Sequence, residues 1–135
     1  MLDRLIVRTL LLLSGLVLAL HVTPVKAGAA SYRDGAARHI YATYAASIYK
    51  GMLPPLVHAI VVVETEVDMR GNVRDVRVVR SPSHAPEVTD EVRQMIQRAS
   101  PFPAPGSADG AKFVEVWLVD DSGRFQLHTL TEGQR

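Results

Sequence analysis

Two β-branched runs joined by a four-residue turn constrain this chain more than any other feature. From Ala59 to Met69, Val61, Val63, Thr65, Val67 and Met69 alternate with Ile60, Val62, Glu64, Glu66 and Asp68. Successive side chains of a strand point to opposite faces, so one face is apolar and the other turns acidic from Glu64 onward. Met69-Arg70-Gly71-Asn72 reads as a tight turn, with Gly71 able to take a positive φ. Val73 to Ser81 returns as a second strand, and the pair predicts an antiparallel hairpin. Arg70, Arg74, Arg77 and Arg80 stand beside the acidic face. Cross-strand ion pairs with Glu64, Glu66 and Asp68, worth ~0.2–1 kcal/mol each, account for them. A basic stripe that steers an acidic partner is the functional alternative.

Helical patterns flank the hairpin. Ser31 to Lys50 reads as a helix that opens on Ser31-Tyr32-Arg33-Asp34, a capping-box form, and ends at Gly51 before Pro54-Pro55. Ala37, Tyr41, Tyr44 and Ile48 share one face of it. All four tyrosines lie in this segment, either packed on the sheet or offered to a partner. Pro86 to Ala99 reads as a second helix. Pro86 suits its first position, Glu87, Asp90 and Glu91 suit its positive end, and Val88, Val92, Met95, Ile96 and Ala99 form its stripe. Pro101-Phe102-Pro103-Ala104-Pro105-Gly106 stops it. Phe113 to Val119 is a third strand, with Val114, Val116 and Leu118 on one face and Phe113, Glu115 and Trp117 on the other. After the turn Asp120-Asp121-Ser122-Gly123, Arg124 to Leu130 reads as a short fourth strand, and the polar tail Thr131 to Arg135 is expected to fray. This order predicts the α+β class: a small antiparallel sheet of three or four strands with two helices packed on one face.

The N-terminus has a different character. Arg4 and Arg8 precede an uncharged stretch, Thr9 to Val22, centred on Leu10-Leu11-Leu12-Leu13. Val25-Lys26-Ala27 and Ala27-Gly28-Ala29 fit the small-x-small pattern cut by signal peptidases. The uncharged run is shorter than the ~20 apolar residues that span a bilayer. Residues 1–29 are therefore read as a signal peptide, with a retained membrane anchor as the alternative, and residues 30–135 as one domain. The domain is expected in the periplasm, or anchored in the inner membrane and facing it. With the leader removed, acidic and basic residues nearly balance, which gives no pointer to nucleic acid. The chain has no cysteine, which removes disulfides, thiol chemistry and thiolate metal sites.

No constellation for catalysis can be assembled. His21, His39, His58, His84 and His128 lack metal-ligand spacing with one another. Asp120-Asp121 could form a cation or catalytic pair, but a turn explains it better, since Asp favours such positions and Gly123 follows. Ser81 and Ser83 lack a general base, and there is no nucleophile elbow or phosphate-cradling glycine loop. The expectation is a non-enzyme without metal or cofactor.

From Pro54-Pro55, through the alternating strand Ala59 to Met69, the turn glycine Gly71 and Val73-Arg74-Asp75-Val76-Arg77-Val78-Val79-Arg80-Ser81, the chain resembles the C-terminal domain of TonB and its relative TolA. The helix stripe Val88 to Ala99, the segment Pro101-Phe102-Pro103 and the strand Phe113 to Val119 continue the likeness. It departs at Pro54-Pro55, where the family has Tyr-Pro, at Ala59 for a glycine, at Ser81-Pro82-Ser83 for Ser-Ser-Gly, and at Val88-Thr89 for Leu-Asp. The helix from Ser31 is closer to TolA. The resemblance implies a periplasmic, non-catalytic protein-binding domain in or beside envelope energy transduction or transport. A structural or assembly factor on the same fold is the alternative. The partner would be an envelope protein or extended peptide, such as a segment of an outer-membrane transporter. It would add as a strand to the edge formed by Phe113, Val114, Glu115, Val116, Trp117, Leu118 and Val119. The same edge could pair with itself in a homodimer, and a fourth strand could cover it. Contact with a membrane is implied only if the leader is retained. The absence of a long spacer argues against a complete energy transducer.

Overall fold

The computed structural model describes residues 25–135. The leader falls mainly outside the described residues, and the two expected cleavage points, Ala27 and Ala29, lie in the first turns of helix α1.

The hairpin forms as its pattern requires. Strand β1 (Ala59–Val67) alternates buried and half-buried residues along its whole length, with Val61, Val63, Thr65 and Val67 inward. Met69 does not continue this face: β1 ends at Val67 and Met69 is exposed in the turn. Asp68 ends the strand, because its carboxylate accepts the Arg70 and Asn72 N–H groups at 2.9 Å each. Gly71 has φ +90°, the conformation the turn demands. Strand β2 (Val73–Arg80) pairs antiparallel with β1, with bulges between Val62 and Val63 and between Glu66 and Val67. Of the expected cross-strand ion pairs one forms, Arg77 with Glu64 at 3.1 Å, while Glu66 lies 3.9 Å from Lys112 instead.

Helix α1 spans Val25–Thr43, so Ser31-Tyr32-Arg33-Asp34 lies inside it and caps nothing. It ends short of Gly51 and passes into a 3-10 turn at Ala45–Ser47. The chain must extend there because Ile48 bridges to Phe125 and the Tyr49 N–H donates to the Phe125 carbonyl at 2.9 Å. Helix α2 spans Pro86–Arg98, with Thr89, Val92 and Ile96 buried. Both helices pack on one face of the sheet, α1 against β3 and α2 against β1 and β2.

The sheet order is β2-β1-β3-β4, all antiparallel, with β3 at Ala111–Val119 and β4 at Phe125–Leu127. The fold is α+β, with four strands and two helices. The fourth strand is shorter than Arg124 to Leu130, since His128–Leu130 curls into a 3-10 turn. Phe113, Glu115, Trp117 and Val119 face the helices and are buried, joined by Ala36, Ala37 and Ile40 of α1. The Trp117 and Phe125 rings lie 4.5 Å apart at 33°. Three tyrosines bind α1 and its C-terminal turn to the rest. Tyr32 donates to the Pro103 carbonyl at 2.9 Å, Tyr44 donates to the Met95 carbonyl at 2.6 Å, and the Tyr41 hydroxyl accepts the Leu127 N–H at 3.1 Å.

The tail is held rather than frayed. Leu53 donates to the Gly133 carbonyl and accepts from the Arg135 N–H, and Gln134 donates to the Pro54 and Pro55 carbonyls. Gln126, fully buried on β4, organises this end. Its amide donates to the carbonyls of Tyr49 (2.9 Å) and Gly51 (2.6 Å), and its oxygen accepts from the Thr131 hydroxyl and the Glu132 N–H.

Candidate strand-pairing edge

An antiparallel sheet ends on each side in a line of backbone groups without ladder partners. On one side that line is β2, which no strand covers among the described residues. Exposed Arg74, Asp75, Arg77 and Arg80 occupy it, and charged side chains of this kind disfavour pairing with another chain.

The other side is composite. On β3 the three residues of β4 reach only Trp117, Leu118 and Val119. The Asp120 N–H donates to the Arg124 carbonyl at 2.9 Å. By the alternation of an antiparallel ladder, the N–H and C=O groups of Leu118, Val116, Val114 and Lys112 then point the same way, away from β1. Val116 is intercepted: its N–H donates to Glu115 Oε1 at 2.9 Å, an oxygen that also accepts the Thr129 N–H at 3.3 Å. The carboxylate of Glu115 therefore ends the ladder where β4 turns away. Ala111 to Glu115 are left with no strand on this side among the described residues. Val114, 40 % exposed, lies in the middle of that stretch.

Glu115 is itself unusual. It is buried, and its second oxygen, Oε2, has no hydrogen-bond partner among the described residues. A buried polar group without a partner is costly, so two N–H bonds to Oε1 are what hold this carboxylate in place. Tyr41 lies close by. Burial is the main cause that raises its phenol above the ordinary value; the Leu127 N–H opposes the rise, and the charges of Glu115 and Glu132 add to it.

The seven residues expected to meet a partner thus divide three ways. Phe113, Glu115, Trp117 and Val119 turn their side chains into the core, so a partner strand reaches them through the backbone alone. Val114, Val116 and Leu118 share the opposite face, where Val62 pairs with Val116 and Ile60 with Leu118. Trp117, Leu118 and Val119 already have β4 as a neighbour. The role of Glu115 in ending the ladder could not be read from its spacing, which resembles that of any alternating strand residue.

Among the described residues, no group of three His, Cys, Asp or Glu is placed to hold a metal ion, and no helix is long and apolar enough to cross a membrane. Asp120 serves the turn, its Oδ1 accepting the Ser122 N–H, the Ser122 hydroxyl and the Arg124 N–H. No family model matches the chain, and neither the curated proteins nor the solved structures contain a match to it.

Proposed function

We propose that this chain is a non-catalytic protein-binding domain of TonB/TolA type, exported to the periplasm, that takes an extended segment of an envelope protein as an added strand. The observation that carries the reading is the outward edge of β3 from Ala111 to Glu115, which has no strand partner among the described residues and exposes Val114. The order helix, hairpin, helix, strand agrees with the resemblance drawn from the sequence. Strand addition supplies main-chain hydrogen bonds for affinity and side-chain contacts for selectivity. The outer-membrane transporter segment is the favoured partner within this class.

The geometry limits the affinity. Lys112 and Val114 offer four outward backbone groups, an N–H and a C=O each, every bond worth ~0.5–1.5 kcal/mol net. That total lies near the ~4 kcal/mol of a millimolar complex, so contacts with Val114 and Val116 must add to it. Displacing β4 would lengthen the edge, but Phe125, Gln126 and Leu127 are all buried, and freeing them would cost more than the new bonds return.

The test places a photo-crosslinking residue at Val114 and, separately, at Arg74 on the β2 edge, in cells producing the full chain. A discrete adduct at position 114 supports the reading. Adducts at position 74 only, or at neither with the protein folded, would sink it.

A further inference from the structure

Strand β4 stops short of the open part of β3, yet the residues that follow it match that part in register. The ladder pairs Val119 with Phe125, Leu118 with Gln126 and Trp117 with Leu127. Continued residue for residue, it sets His128 opposite Val116, Leu130 opposite Val114 and Glu132 opposite Lys112. The bond from the Asp120 N–H to the Arg124 carbonyl fixes these as hydrogen-bonded pairs. The outward backbone groups of Val114 and Lys112 would then meet Leu130 and Glu132.

The side chains suit that register as well. Leu130 would stand beside Val114 as an apolar pair, and Glu132 beside Lys112 as a pair of opposite charges. Thr129 and Thr131, between and beside them, are β-branched and favour an extended chain. Residues 128–132 thus carry the pattern of a strand complementary to the edge. They do not lie on it, because His128–Leu130 curls into a 3-10 turn.

Two side chains divert the segment. Glu115 Oε1 accepts the Val116 N–H, which the His128 carbonyl of an extended strand would otherwise take. The same oxygen accepts the Thr129 N–H and so fixes the curl. Farther on, Gln126 Oε1 accepts the Thr131 hydroxyl and the Glu132 N–H. Glu115 stands at the fork, where β3 and β4 part. Extension is an exchange: it gives up the Gln126 bonds, the Leu53 bonds to Gly133 and Arg135 and the packing of Leu130 on the core, and it satisfies Val114 and Lys112.

We propose, on the reading of β3 as a strand-accepting edge, that residues 128–132 are an intramolecular strap that competes with the partner for that edge, and that Glu115 is the positioning residue that holds the strap off. While Glu115 keeps the Thr129 N–H, the edge is open to a partner. When the strap extends, it covers Ala111 to Glu115 and shields them from indiscriminate pairing.

The chain has no cysteine, so an engineered pair traps the extended strap without competing thiols. The pair is Lys112→Cys with Glu132→Cys. Glu132 now bonds to Gln126, opposite Leu118 and roughly 20 Å along β3 from Lys112. On the extended strap the two Cα atoms would lie about 5.5 Å apart, within reach of a disulfide. Under mild oxidation of the full chain, Glu115→Met and, as a second variant, Glu115→Ala should each form the disulfide at least about fivefold faster than the chain with Glu115, since both lose the acceptor of two N–H groups. Glu115→Gln keeps a carbonyl acceptor and should leave the rate within about twofold. Arg74→Cys with Glu132→Cys reaches the β2 edge instead and reports a tail that is merely loosened; its rate should not rise with either variant. Unchanged rates in both variants, or an equal rise for the pair at 74 and 132, would overturn the proposal. No partner enters this assay, so its failure leaves strand addition standing, and a missing adduct at position 114 leaves the strap standing.

Discussion

Gly71→Ala isolates a contact on which the hairpin and the segment after α2 both depend. Gly71 has φ +90°, and a Cβ placed there would fall within the contact radius of the Phe102 carbonyl, a backbone group that cannot rotate away. The left-handed conformation alone costs an alanine ~1–2 kcal/mol. Relief of the collision requires the turn and Phe102 to separate. That breaks the Phe102 N–H to Gly71 carbonyl bond at 2.8 Å, worth ~0.5–1.5 kcal/mol net. It also loosens the Phe102 ring, which is 3 % exposed and whose burial is worth ~1.5–3 kcal/mol. The expected loss is about 3 kcal/mol or more. Gly123→Ala is the control, because Gly123 has φ +84° but open space where a Cβ would stand. It should lose only the conformational ~1–2 kcal/mol. Urea unfolding of the three proteins, with slopes compared, measures the difference. In a thermal melt each kcal/mol should move the midpoint by about 4–8 °C. Equal losses for the two variants would refute the argument from the Phe102 contact.

Other substitutions probe the remaining ties. Gln126→Leu strips the carbonyls of Tyr49 and Gly51 and the Glu132 N–H of their partner, and should cost ~2–4 kcal/mol in urea unfolding and speed hydrogen exchange at Glu132. Tyr44→Phe removes the 2.6 Å bond to the Met95 carbonyl and should cost about 1 kcal/mol. Burial raises the phenols of Tyr32, Tyr41 and Tyr44 above the usual 10.0. The folded state then keeps protons that the unfolded state releases, so stability should fall as pH rises through about 10. Urea midpoints at pH 8 and about pH 10.5 check this, and the combined Tyr→Phe variant at 32, 41 and 44 should show a smaller drop.

Where local chemistry and tertiary packing agree, the fold was legible in the sequence. The alternation of β1, the turn at Gly71 and the stripe of α2 each follow from residues that need no distant partner to declare themselves. Bounds set by distant contacts were not legible. The expected end of the first helix at Gly51 gives way to the need of Ile48 and Tyr49 to pair with Phe125, far along the chain. The tail, polar and apparently free, is ordered because Gln126 turns a buried amide toward it. Alternation grouped Glu115 with Phe113 and Trp117, but not on which side of the sheet they lie. A carboxylate on the core face breaks the usual pattern, and its two N–H donors become visible only once Thr129 is folded back.

The central claim is that β3 accepts an added strand between Ala111 and Glu115. The most direct measurement is a backbone amide NMR titration of the domain with extended peptides from the N-terminal segments of outer-membrane transporters. The account predicts that the largest shifts cluster from Lys112 to Val116, with the Val114 amide exchanging more slowly in the complex, and with the β2 amides unmoved. Peptides that leave the Lys112–Val116 amides unchanged, or that protect β2 instead, would contradict it.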